Sequence, residues 1–270
     1  MASFRDRRWH APDESTRPEP WKCEVCGHVV NPMWLIWKGT WLLPVNSDGC
    51  ERCEAIELGK RVLDQMRASL LERYGLDQGE YGHMAFQSYQ PDPRQPSQHR
   101  AKAAALGVVE RWKQGDWSAG FMLYSSLNAV GVGKSHLAIA AARAGLMLYQ
   151  PRTPGESILA VWDMPSYVKA IKSSYDNGGT EQIQRSASEP AILVMDDVGA
   201  EYVKTQDWYQ GLLYDILNAR WLNRKATIIT TNLPLDKLGQ RIGTRALSRL
   251  LSLTGKPIEM AGEDYRMRGL

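Results

Sequence analysis

Asn128-Ala129-Val130-Gly131-Val132-Gly133-Lys134-Ser135 stands between two runs of opposite character. Before it, Gly120-Phe121-Met122-Leu123-Tyr124 is apolar throughout and predicts a buried strand. After it, His136-Leu137-Ala138-Ile139-Ala140-Ala141-Ala142-Arg143 is alanine-rich and predicts a helix. Strand, glycine loop, Gly-Lys-Ser and helix make the context of a phosphate-binding loop. Glycines let backbone N–H groups curl around an anion, and the helix N-terminus adds partial positive charge. Gly131, Val132, Gly133, Lys134, Ser135 and His136 are therefore expected to bind nucleotide phosphates. Lys134 would reach the β- and γ-phosphates, and the Ser135 hydroxyl would hold Mg²⁺. Asn128 takes the place of the motif's first glycine. Asn tolerates left-handed backbone better than other non-glycine residues, so the loop is expected to be intact.

Downstream, Ala191-Ile192-Leu193-Val194-Met195 is continuously apolar, as a buried parallel strand is, and ends at Asp196-Asp197. Ligands of open α/β sheets sit at the carboxyl ends of strands. Asp196 is expected to share the Mg²⁺ of Ser135, and Asp197 to polarise an attacking water. Asp197 is one methylene shorter than the Glu of many ATPases, so slow turnover is expected. Further strands are read at 158–162, 226–231 and 257–260, and helices at 100–114, 164–175, 206–223 and 235–252, the last interrupted near Gly243. The alternation predicts an α/β fold with a parallel sheet.

The 270 residues carry a formal net charge of +3, which permits nucleic-acid contact without demonstrating it. No apolar run approaches the roughly 20 residues of a membrane span, and the charged, proline-containing start from Met1 to Pro20 does not resemble a secretory signal. A flexible tail over 1–20 and a cytoplasmic setting are expected. All four cysteines form two pairs, Cys23-x-x-Cys26 and Cys50-x-x-Cys53. That spacing suits four thiolates around a structural Zn²⁺, which would supply the folding energy that so small a module lacks; redox pairs and a disulfide form are the alternatives. His10 and His28 are read as bystanders. The apolar residues between the pairs, Trp34 to Leu43, are either the module's own hairpin core or a docking surface for a partner protein. A helical pattern over 51–74 follows, then a break at 75–84, giving a zinc module over 21–78 and a second domain over 84–270.

Residues 84–270 resemble the AAA+ ATPases of the DnaC/DnaI helicase-loader and IstB group. The resemblance rests on Gly131-Val132-Gly133-Lys134-Ser135-His136-Leu137-Ala138, Asp196-Asp197-Val198-Gly199-Ala200-Glu201, Thr230-Thr231-Asn232-Leu233-Pro234-Leu235 and Gly262-Glu263-Asp264-Tyr265-Arg266. It implies that Asn232 is sensor 1, Arg249 an arginine finger given in trans, and Arg266 sensor 2. Guanidinium groups at a transferring phosphoryl group make physical sense of the two arginines. A four-cysteine module ahead of such a core resembles DnaI-type loaders. This implies an ATP-dependent loader that places a DnaB-type replicative helicase on single-stranded DNA, in a bacterial cell or phage-infected host. Self-assembly through the finger, hexameric or helical, is implied as well. Lys169, Lys172, Ser173 and Tyr175 combine charge with an aromatic on one short helix and are candidates for single-strand contact. The rival readings are an IstB-like ATPase regulating a transposase, a P-loop kinase and an adaptor with an inactive ATP site.

Overall fold

A computed structural model of the chain describes residues 20–30, 33–37, 40–45, 50–126, 129–153, 155–176, 178–203 and 205–267. It divides into two compact units, Met1–Ala68 and Ser69–Leu270. The division lies N-terminal to the break read at 75–84. Leu70, Leu71, Tyr74, Leu76 and Tyr81 all join the hydrophobic core of the second unit.

In the first unit, β1 (Trp21–Lys22) and β2 (Val29–Val30) pair antiparallel around the first cysteine pair. The turn between them is closed by Cys23 N–H to His28 O at 2.8 Å and Gly27 N–H to Cys23 O at 2.8 Å. β3 (Met33–Trp37) and β4 (Thr40–Val45) form a second hairpin, with Trp37 opposite Thr40. The tryptophan and leucine side chains there lie outside the described residues, as does the expected tail over 1–19. α1 (Glu51–Arg73) starts immediately after Cys50 and carries Cys53 in its first turn.

The second unit opens with α2 (Pro96–Lys113). Pro96 occupies the first turn, where its missing N–H costs nothing. The helix therefore starts four residues before the expected Arg100, inside the Pro/Gln-rich stretch. Then follow β5 (Phe121–Tyr124), α3 (Lys134–Leu148), β6 (Leu159–Asp163), α4 (Met164–Ser174), α5 (Thr180–Ser188), β7 (Ile192–Asp196), α6 (Gln206–Leu222), β8 (Ala226–Thr231), α7 (Leu235–Ile242), α8 (Thr244–Thr254) and β9 (Ile258–Glu259). α5 was not expected: its polar run Glu181-Gln182-Ile183-Gln184-Arg185 offers only Ile183 and Ala187 at helical spacing.

The five strands β6-β7-β8-β5-β9 form one sheet, every pair parallel. Alternation along the strands sends side chains to two cores. Phe121, Leu123, Ile192, Val194 and Ile228 face α2 and α3, with Trp112 fully buried between them. Met122, Leu193, Met195 and Ile229 face α4, α6, α7 and α8. A β-carbon on Gly145 of α3 would lie 2.6 Å from Ile192 and 2.8 Å from Trp112, so α3 approaches the sheet as closely as its backbone allows. β8 separates β5 from β7, which brings the ends of all three strands to one edge. One buried polar element braces the opposite end. Arg220, fully buried, donates to Thr227 Oγ1 and to the carbonyls of Ala187, Ser188, Pro190, Ala191 and Ala226.

Candidate active site

The turn from β5 into α3 places Gly133 at φ 95°, a left-handed conformation that Gly adopts without strain. It also lies so close to Tyr89 that a β-carbon would sit 2.6 Å from the ring. Val132 is fully buried and anchors the loop on the core. The Gly131 carbonyl accepts the Tyr265 N–H at 3.1 Å, so the C-terminal segment straps the loop from outside. The Asn128 position lies outside the described residues.

Lys134 is buried. Its ammonium donates to Ser125 Oγ at the end of β5 and to Asn232 Oδ1 beyond β8, both at 2.7 Å. Ser135 Oγ donates to Asp196 Oδ1 at 2.9 Å, and Thr230 Oγ1 donates to the same oxygen at 2.5 Å. Burial pushes the Asp196 carboxyl above its ordinary range; the two hydroxyl donors offset part of that, and the Asp197 charge adds to it. Asp197 is one of two described non-glycine residues with positive φ, at 59°. Its N–H bonds Thr230 Oγ1 at 3.0 Å, and its Oδ1 accepts from Asn232 Nδ2 at 2.5 Å. Lys134, Ser135, Asp196, Asp197 and Asn232 thus form one continuous polar network at the carboxyl edge of the sheet.

That network floors one end of a cleft of about 420 Å³, within the usual range for a small-molecule site. Its other wall is His83, Met84, Ser88, Tyr89, Gln90 and Tyr265, none of which sequence reasoning singled out for the site. His136 links the two walls through Ala85 O at 2.9 Å and an edge-on contact with Tyr89, ring centroids 5.3 Å apart. Burial pushes the His136 imidazole below its ordinary pKa and favours the neutral ring.

The four cysteines form a separate cluster. Their sulfurs all lie within 4.8 Å of one another, with Cys23–Cys53 at 3.7 Å and Cys26–Cys50 at 3.6 Å. Tetrahedral zinc with Zn–S bonds of about 2.3 Å requires sulfurs about 3.8 Å apart. The donor set fits that ion and leaves no ligand position for a substrate. Backbone N–H groups of Cys26 and Val25 draw the Cys23 thiol down to about 7, while contact with the other thiols, Cys26 foremost, pushes Cys53 up to about 12.

A sequence-family model described as "IstB-like ATP binding protein" matches residues 125–269, more than half of the chain. The chain belongs to the IstB-like ATP-binding proteins. Its match starts at Ser125 and spans every residue of the polar network, within the AAA+ fold shared with DnaC. Among solved structures, the DnaC helicase loader is similar at 26% identity and TM-score 0.55, over 68% of this chain and 99% of that one. A DnaI structure at 20% identity and TM-score 0.53, over 66% of this chain and 90% of that one, shares the fold. So does AMPPCP-bound DnaA from Aquifex aeolicus, at 19% identity and TM-score 0.51, over 66% of this chain and 50% of that one. No curated protein matches the chain. No helix of the described residues is long and apolar enough to cross a membrane.

In this IstB-like ATP-binding protein, two arginines hold positions that differ from the rest of the network. Arg249 does not line the cleft; its guanidinium lies 3.8 Å from the centroid of the Trp221 ring, stacked on the outer side of α8. Arg266 falls in a single 3-10 turn, Tyr265–Met267, beside the cleft, and its side chain lies outside the described residues. On α4, Lys169, Lys172, Ser173 and Tyr175 are all exposed. Lys172 Nζ sits 5.7 Å from the Trp208 ring centroid, and Trp208 Nε1 donates to Tyr175 OH at 2.6 Å.

Proposed function

We propose that this IstB-like ATPase is an ATP-dependent loader that delivers a DnaB-type replicative helicase to single-stranded DNA. The observation that carries this reading is the similarity to the DnaC helicase loader over 99% of the solved chain of that protein. The four-thiolate cluster ahead of the ATPase unit, matching zinc geometry, supports a separate docking module for the helicase.

In this reading the Lys134 ammonium leaves Ser125 and Asn232 to neutralise the β- and γ-phosphates of ATP. Ser135 and Asp196 would hold Mg²⁺, which neutralises charge on the phosphate oxygens. Asp197 polarises the attacking water, and Asn232, already bonded to it, orients that water toward the γ-phosphate. The wall from His83 to Gln90, with Tyr265, encloses the nucleoside. Arg249, on an outer face, serves the cleft of a neighbouring copy in a hexameric or helical assembly, while Arg266 serves its own. The exposed Lys172–Trp208–Tyr175 group offers a charge and aromatic faces to a single strand. The setting that fits a replicative helicase partner is the cytoplasm of a bacterial cell or phage-infected host.

Membership of the IstB-like family leaves one alternative reading, an ATPase that regulates a transposase on DNA. Binding measurements with the purified replicative helicase of the source cell separate the two. The full chain is expected to bind it, and Cys23→Ser with Cys26→Ser is expected to lose both the helicase and one equivalent of zinc while keeping ATP binding. Parental helicase affinity in that double variant would remove the cysteine module as the docking site, and a full chain that captures a transposase and not the helicase would reject the loader reading.

A further inference from the structure

Behind the polar network lies a second cluster of buried charge that ATP binding does not require. It begins at the turn leaving β7. Asp197 at φ 59° is held in a conformation that side chains other than Gly rarely adopt, so something must fix it. The turn it starts is closed by Ala200 N–H to Asp197 O at 3.1 Å. The next backbone donor, Gly199 N–H, is taken by the Glu201 carboxylate at 3.0 Å. Gly199 leaves no room to shift: a β-carbon there would sit 2.5 Å from Leu233, the residue following Asn232.

The Glu201 side chain is 1% exposed. Its other oxygen, Oε1, lies 3.9 Å from Arg241 Nε, and Arg241 Nη2 donates to the Glu201 main-chain carbonyl. Arg241 belongs to α7, the helix that begins three residues beyond Asn232, and its guanidinium also lies over the Tyr209 ring at 5.3 Å. Glu201 Oε1 and Arg241 Nε are buried and have no partner at hydrogen-bond distance among the described residues. The Tyr209 hydroxyl lies beside the Glu201 carboxylate; burial and that carboxylate push the phenol pKa up. A buried ion pair with such loose geometry is a poor stabiliser compared with apolar residues of the same volume. Its position suggests another use. It closes a ring that runs from Asp197 through the turn to Glu201, across to Arg241, back along α7 to Asn232, and from Asn232 to Asp197.

We propose that Glu201 and Arg241 are positioning residues for ATP hydrolysis. They aim Asp197 and Asn232 at the γ-phosphate and tie both to the helix pair that carries Arg249. The proposal rests on the hydrolytic reading of the cleft given above. Neither residue lines the cleft. They act by fixing the turn, and the 3.9 Å separation of Glu201 Oε1 and Arg241 Nε gives the pair room to tighten by less than about 1 Å toward ordinary hydrogen-bond distance. Because α7 passes through Gly243 directly into α8, that movement is carried to Arg249.

The test uses the full-length chain and reads kcat, KM and ATP affinity separately. Glu201→Ala is expected to lower kcat roughly tenfold or more, as misplacing a reacting group by a fraction of an ångström does, with ATP affinity within about twofold of the parent. Glu201→Gln, whose amide oxygen still accepts the Gly199 N–H, is expected to restore part of the loss. Arg241→Met leaves a buried carboxylate unpaired, so its kcat is expected to fall as well, and to recover in the Glu201→Gln/Arg241→Met double variant. Parental kcat in Glu201→Ala would overturn the proposal. So would parallel losses of kcat, ATP affinity and melting temperature in both Glu201→Ala and Glu201→Gln, which mark a purely structural pair. A parent chain whose ATP turnover equals that of Lys134→Ala would instead reject the hydrolytic site itself, and the inference with it.

Discussion

At the scale of single residues, the site is a trade between charge and burial. Asp196 is buried, and its carboxyl titrates above its ordinary value near 3.8. A carboxylate whose folded pKa is raised binds its proton more tightly in the folded state, so its contribution to stability falls as pH rises from the ordinary value through the folded one. In its ionised form Asp196 therefore costs stability, which a bound cation would offset. Asp196→Asn keeps an oxygen for the Ser135 and Thr230 hydroxyls and removes that cost. It is expected to melt at or above the parental temperature in the absence of nucleotide while hydrolysing no ATP; a lower melting temperature across pH 6–8 would contradict this assignment of cost. Lys134, Ser135, Asp196 and Asp197 were singled out from motif spacing because each sits at a strand or helix end that local pattern marks, whereas Asn232 came only with the family resemblance. Ser125 and Thr230 were not singled out. Thr230 reaches Asp196 only because β8 lies beside β7, an adjacency no local pattern carries, and Ser125 meets Lys134 because the loop folds the ammonium back onto the end of β5.

At the scale of elements, the strands were the clearest part of the sequence. The apolar run at 191–195 and the β-branched run Ala226-Thr227-Ile228-Ile229-Thr230-Thr231 became β7 and β8 with ends agreeing to a residue, because buried strands select apolar and β-branched residues. α5 escaped notice because it buries only Ala187, and most of its stability comes from packing that the sequence does not display. The wall from His83 to Gln90 escaped for a similar reason. It reads as loop, and its bonds to α3 join residues 51 positions apart, as between Ala85 and His136. Arg220 is the element-scale counterpart. It looks like a surface charge near the end of α6, yet its guanidinium ties α6 to the entry of β7 and β8 through five carbonyls and the Thr227 hydroxyl. Arg220→Met keeps most of the volume and leaves those acceptors buried. It is expected to cost about 3 kcal/mol or more, a fall in melting temperature on the order of 10 °C for a unit of this size. A fall of less than about 2 °C would show that other donors replace it.

At the scale of the whole molecule, the four-cysteine cluster lies in one unit and the nucleotide cleft in the other. Arg249 does not line its own cleft and stacks on Trp221; in the proposed reading it serves the cleft of a neighbouring copy. Arg249→Ala is expected to bind ATP and lose hydrolysis. Mixing it with Lys134→Ala is expected to restore part of the activity, since an intact Lys134 site can then meet an intact Arg249. Absence of rescue at every ratio, in mixtures shown to co-assemble, would contradict a shared site. The central claim concerns what this turnover serves, and helicase delivery measures it most directly. The purified replicative helicase of the source cell is offered a closed single-stranded circle carrying an annealed strand, with and without this protein. The account expects strand displacement to depend on the parent chain and ATP, and to fail with Lys134→Ala or with Cys23→Ser/Cys26→Ser. Equal displacement with and without the parent chain, or unimpaired displacement with both variants, would contradict it.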